Sequence, residues 1–93
     1  MKLKEHEKDC LAKLGSPFTE VHQWLDDFAG TPGYGMKHRR KRHHQVGIEE
    51  VRRLFEDRAA EAARIHIEAD LQQEGYAGEI PRDEAHYVSI GLY

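Results

Sequence analysis

Ninety-three residues make one domain, 1–93, with a modest core, and a net charge of only −3 excludes a global polyanion binder, so any basic character must be local. No apolar run is long enough to cross a membrane, and the opening Met1-Lys2-Leu3-Lys4-Glu5-His6 lacks the apolar stretch of a signal peptide. The lone Cys10 excludes an internal disulfide and suits a reducing cytoplasm, which leaves seven histidines as the unusual count to explain.

Residues 2–14 read as a first helix, with Leu3, Glu7, Cys10 and Leu14 along one side, His6 at the edge of that stripe and Gly15 as the stop. Ser16-Pro17 opens a second helix over 17–29, with Ser16 as N-cap and Pro17 in the first helical position. Phe18, Val21, Leu25, Phe28 and Ala29 form its inward face, His22 and Asp26 share one edge, and Trp24 points the other way. Gly30-Thr31-Pro32-Gly33-Tyr34-Gly35 is a loop. It follows no strand and lacks the lysine-serine ending of a phosphate-binding loop.

A third helix is expected over 36–56. Its apolar face is Met36, Val51, Leu54 and Phe55, with Gly47 near the centre, His43 and His44 flanking it, and His38 and Arg42 turned outward. A small rotation of this helix exchanges His43 and His44, so the periodicity does not decide which faces the core. Glu56-Asp57 reads as a kink, followed by a fourth helix over 58–73 whose inward face is Ala59, Ala62, Ala63, His66, Ile67 and Asp70. Gly75 ends it, and Ile80-Pro81-Arg82-Asp83 opens a short last helix reaching Ile90, with Tyr87 and Ile90 turned to the core. The fold class is therefore all-α: a bundle of four main helices plus a short C-terminal one. Cys10 is expected as a small buried hydrophobe, and Trp24 and Tyr93 as packing or interface residues.

Each main helix brings a histidine to or beside its buried stripe, and His22-x-x-x-Asp26 and His66-x-x-x-Asp70 add a carboxylate one turn later. Side chains converging from facing helices are how bundles build metal sites, and mixed imidazole and carboxylate donors suit zinc, manganese, iron or nickel. The expected ligands are His22, His43, His66 and Asp70, with His6, His44 and Asp26 as alternatives or as supports for the ligands. The competing reading is a set of hydrogen-bonded core histidines. Burying several imidazoles together with Asp70 and no ion, however, leaves polar groups that are costly to satisfy.

The run Lys37-His38-Arg39-Arg40-Lys41-Arg42-His43-His44 contains no carboxylate, and Arg39 and Arg42 are the expected holders of an anionic group. Its bland alternative is a solvated cationic face. The aromatic interleaving of a single-strand binder is absent, with only Tyr34 nearby.

The pattern His38-Arg39-x-x-Arg42-His43-His44-x-x-Gly47, with His66-Ile67-x-x-Asp70, Ile80-Pro81 and the upstream Val21-His22-x-Trp24-Leu25-Asp26, resembles a family of small uncharacterised helical proteins of bacteria, archaea and phages. That resemblance spans nearly the whole chain and implies the fold and these histidines, but carries no activity. A looser similarity is to HD-type metal phosphohydrolases, from which the chain departs in lacking the adjacent His-Asp doublet and in its shorter length. The leading expectation is a metal-binding helical domain that hydrolyses a phosphate ester or nucleotide. The runner-up is a non-catalytic nucleotide or nucleic-acid binding module using 37–44, and the third is an interaction protein, a homodimer burying Trp24.

Overall fold

The computed structural model describes residues 2–92, apart from the Met36 side chain, so the expectations placed on Met36 and Tyr93 lie outside the described residues. The element order is α1 (Leu3–Leu14), α2 (Thr19–Leu25), a 3₁₀ turn (Gly35–His38), α3 (Arg39–Arg42), α4 (Gln45–Leu54), α5 (Asp57–Gln73) and α6 (Glu84–Ser89). Among the described residues there is no strand, and the all-α bundle is the fold. α5 is its spine, packing against α1, α2 and α4, while α3 packs on α6.

The small side chains Ala59, Ala60, Ala62 and Ala63 let the neighbouring helices come close to the first half of α5, where Cys10, Val21, Leu25 and Val51 complete a dry core. Cys10 is fully buried as expected, its thiol donating weakly toward Ala62 O at 3.9 Å, and burial pushes it up to about 11. Tyr87 closes the core from α6 with no exposed surface, and its hydroxyl donates to Glu74 Oε2 at 3.0 Å.

The buried face of α1 and both ends of α2 differ from the sequence reading. α1 buries His6 and Cys10, whereas Leu3 and Leu11 are exposed; the inward stripe is centred on His6 rather than edged by it. α2 starts at Thr19 because Phe18 stands in the left-handed region at φ 51, which no helix continues through. Ser16 makes no cap, and Thr19 Oγ1 donates instead to Glu7 Oε2 of α1. α2 also stops at Leu25, so Phe28 and Ala29 fall in the turns that follow.

The largest departure is the expected helix over 36–56, which is broken at His43-His44. His44 adopts an extended conformation (φ −156, ψ 177), and the chain folds back so tightly that a Cβ on Gly47 would collide with the Arg42 carbonyl oxygen. Only glycine fits that crossing. His44 then serves as the N-cap of α4: its Nδ1 accepts from Gly47 N at 3.1 Å while Nε2 donates to Lys41 O at 3.0 Å. Two further N–H groups of the first turn, Gln45 and Val46, donate to Pro81 O at 2.8 Å and Arg82 O at 3.0 Å, which docks the C-terminal segment. The break also changes the outer face, since His38 and Arg39 are buried and Leu54 is 60% exposed. The kink at Glu56 is a full interruption, with Glu56 at φ 130 and α5 restarting at Asp57.

Candidate metal centre

His66 and Asp70 lie one turn apart on the second half of α5, and both are buried. The break after α3 turns His43 onto them, and Asp26 arrives as the C-cap of α2. His43 Nε2 lies 3.1 Å from Asp70 Oδ2, 3.2 Å from His66 Nε2 and 3.3 Å from Asp26 Oδ1. His66 Nε2 lies 3.2 Å from Asp70 Oδ2 and 3.5 Å from Asp26 Oδ1. These separations match those of ligands on one ion, since donors bound at ~2.0–2.1 Å in tetrahedral array stand about 3.3 Å apart. Asp26 Oδ1 is buried and meets no donor along a hydrogen-bond direction, although the imidazoles of His38, His43 and His66 stand within 3.5 Å of it. It is the kind of oxygen that a cation satisfies.

Other side chains orient these four. His6 Nε2 and Arg39 Nη2 approach Asp70 Oδ1 at 3.2 and 3.5 Å, on the other oxygen from the one facing the histidines. His38 Nε2 lies 3.3 Å from Asp26 Oδ1, with its Nδ1 donating to Gly35 O at 2.8 Å. His22 Nδ1 meets His66 Nδ1 at 2.9 Å, and His22 Nε2 donates to Pro17 O at 2.9 Å. His43 alone has no such support, its Nδ1 being buried without a hydrogen-bond partner.

His6, His22 and His66 also bring ring nitrogens together, yet their rings lie nearly parallel. The His6 and His66 centroids are 3.5 Å apart at 11°, and those of His22 and His66 are 5.1 Å apart at 22°. An imidazole binds an ion in its own plane, so stacked rings do not converge on one ion. Of the expected set of His22, His43, His66 and Asp70, the structure brings His43, His66 and Asp70 together with Asp26 as a group that could hold an ion. His22 and His6 stand behind this group, and His44 is held away from it by its capping role.

The electrostatics follow from burying these groups. Burial alone would raise the Asp26 and Asp70 carboxyls, but the imidazoles of His43 and His66, joined by His6 at Asp70, outweigh it and hold both well below the usual carboxylate range. Burial likewise lowers His66, and there the two aspartates win and raise it. His22 has no such compensation: burial, then the neighbouring His66 and His6, push it down to about 4. Burial also lowers His6 and His44. The carboxylates of Asp70 and Glu74 share the single buried guanidinium of Arg39, and Asp26 adds a third carboxylate beside His43 and His66, an excess of two negative charges when the imidazoles are neutral and of one when His66 carries a proton. A divalent ion, or two protons, removes it.

The basic block does not present its arginines outward. Arg39 is buried, its Nη1 3.0 Å from Glu74 Oε2, and Arg42 stacks 4.1 Å over the Trp24 ring while donating to Trp24 O at 2.7 Å. Arg42 also lies 3.6 Å from Asp27, so the expected anion-holding pair is engaged by the protein's own acceptors. Trp24 accordingly packs under Arg42 and is half-buried.

A cleft of about 450 Å³ reaches Asp26 and Asp70 from the surface, with Lys2, His38 and Arg39 among its walls. Two residues of this arrangement were missed or undervalued at the sequence level. Asp26 has its signal in the His22-x-x-x-Asp26 spacing, and His38 has none, because helical periodicity across the break places it outside. The chain matches no family model, no curated protein and no solved structure.

Proposed function

We propose that this chain is a cytoplasmic metal-binding helical domain whose ion, held by Asp26, His43, His66 and Asp70, activates water to hydrolyse a phosphate ester or nucleotide. The observation that carries the reading is the 3.1–3.5 Å spacing of the two imidazole nitrogens from each other and from each of the two carboxylate oxygens. The charge excess supports a divalent ion. The donors, two imidazoles and two carboxylates with no thiolate, favour zinc, manganese, iron or nickel over calcium or magnesium.

Hydrolysis is supported by access. The cleft ends on two of the four ligands, so water and a small anionic group can reach an ion there, and its walls include Lys2 and Arg39. A bound ion would lower the pKa of water toward ~7 and polarise a phosphoryl oxygen. The nucleic-acid alternative draws less support, since Arg39 is buried and Arg42 half-buried, and of the cations in 37–42 only Lys37 is exposed.

The test is turnover of a panel of phosphomonoesters, phosphodiesters and nucleotides by protein loaded in turn with each of the four metals. Hydrolysis is expected with at least one of them and none in the presence of chelator. Metal-loaded protein that leaves the whole panel untouched would end the hydrolase reading.

A further inference from the structure

His22 was expected to be a ligand, and its surroundings give it another task. Both ring nitrogens are engaged away from the four-ligand cluster: Nε2 lies 2.9 Å from Pro17 O and Nδ1 lies 2.9 Å from His66 Nδ1. A carbonyl oxygen only accepts, so His22 Nε2 carries a hydrogen. Exactly one hydrogen must then lie between the two Nδ1 atoms. His22 is fully buried and, among the described residues, forms no ion pair with a carboxylate, whereas His66 has Asp26 and Asp70 within 3.5 Å. The hydrogen therefore belongs to His66, which leaves His66 Nε2 as the nitrogen facing His43, Asp26 and Asp70.

We propose that His22 is a positioning residue: anchored on Pro17 O, it accepts the His66 Nδ1 hydrogen and so aims the bare Nε2 lone pair of His66 at the ion. Its place depends on the start of α2. With Phe18 in the left-handed conformation, Pro17 stays outside the helix and turns its carbonyl to the His22 ring, one turn into α2. His6 packs nearly parallel on one face of His66, with ring centroids 3.5 Å apart, and keeps the ring from swinging away. His66 is thus held by a hydrogen bond at Nδ1 and by that face, while its second nitrogen is left for the centre. The ion accordingly takes two imidazoles, not the three of the expected set.

This inference rests on the metal reading for its purpose, and its test separates the two. Long-range ¹H–¹⁵N spectra of the metal-free protein read ring tautomers directly, and His22 is expected in the Nε2–H form with an accepting Nδ1. A His22 ring protonated at Nδ1 overturns the relay whatever the metal result. In metal titrations, His22→Ala is expected to keep one ion per chain with affinity weakened about 10–100-fold. His22→Gln, whose amide can both donate to Pro17 O and accept from His66, is expected to restore most of it, and His66→Ala to abolish binding. If His22→Ala abolishes binding as completely as His66→Ala and Gln restores nothing, His22 is a ligand and the proposal fails. It fails equally if His22→Ala binds as tightly as the wild type. Absence of an ion in the wild type counts against the metal centre, and with it the purpose assigned to the relay.

Discussion

The two halves of α5 face the same neighbours with opposite chemistry. From Ala59 to Ala63 the helix presents small apolar side chains to Val51, Leu25 and Cys10, and the packing there is complete in itself. From Ile65 to Leu71 it presents His66 and Asp70 to His6, His22 and His43, with Asp26 and Arg39 close by, and that half is left with surplus negative charge and an unsatisfied carboxylate oxygen. A buried apolar contact asks only for shape. A buried carboxylate pair asks for a cation, and either a metal or a set of protonated imidazoles must supply it. The first half of α5 thus makes the fold, and the second half makes it conditional on what occupies the centre.

The sharpest way to break this contrast is Asp70→Ala. It removes one of the four proposed ion ligands and the 3.5 Å partner of the buried Arg39, and removing one member of a buried ion pair costs about 3–5 kcal/mol. Denaturant unfolding with and without chelator checks it: the variant should be much less stable than wild type and should no longer respond to metal. A variant still stabilised by metal would remove Asp70 from the centre.

Next in size is the stability gap between metal-loaded and chelated wild type, about 2.7 kcal/mol when free metal stands at 100 times its dissociation constant. That gap should close with acid. His22 titrates near 4 folded against 6.5 unfolded, so the stability it contributes is full above pH 6.5 and is lost as pH falls toward 4. His66 has the opposite sign in metal-free protein: its folded pKa is raised, so its contribution is present at low pH and lost as pH rises through that value. Bound metal takes the place of the His66 proton, so only the chelated protein gains this compensation in acid. Melting curves from pH 7 to 4 should therefore converge, and curves that stay parallel would show that protons and metal do not compete for the same nitrogens.

The smallest expected effect comes from the dry half. Ala63→Val overpacks a fully buried position and should cost about 1–3 kcal/mol. Its metal affinity should stay at the wild-type level. A large loss of affinity there would show that the two halves of α5 are not independent.

Much of the fold was legible because helical periodicity is a local property. The alanine face of α5 and the one-turn spacing of His66 and Asp70 lie within a single uninterrupted helix, and both read correctly. The choice between His43 and His44 was not legible, because it assumed a continuous helix where the chain breaks; both are buried, one facing the centre and one capping α4. Gly47 held the missing signal, a glycine in a helical pattern marking a close backbone crossing. The partnership of His38 with Asp26 joins two turn regions that no periodicity relates. Arg42 was read as outward, and Arg39 with it as an anion holder, for the same reason, and only the packed structure brings Glu74 and Trp24 to them.

The most direct measurement is the metal content of protein purified without a histidine tag, beside His66→Ala. The account predicts about one divalent transition metal per chain in the wild type and its loss in the variant. Wild-type protein that is folded, metal-free and refuses added zinc, manganese, iron and nickel would contradict it, and the buried histidines would then be a hydrogen-bonded core.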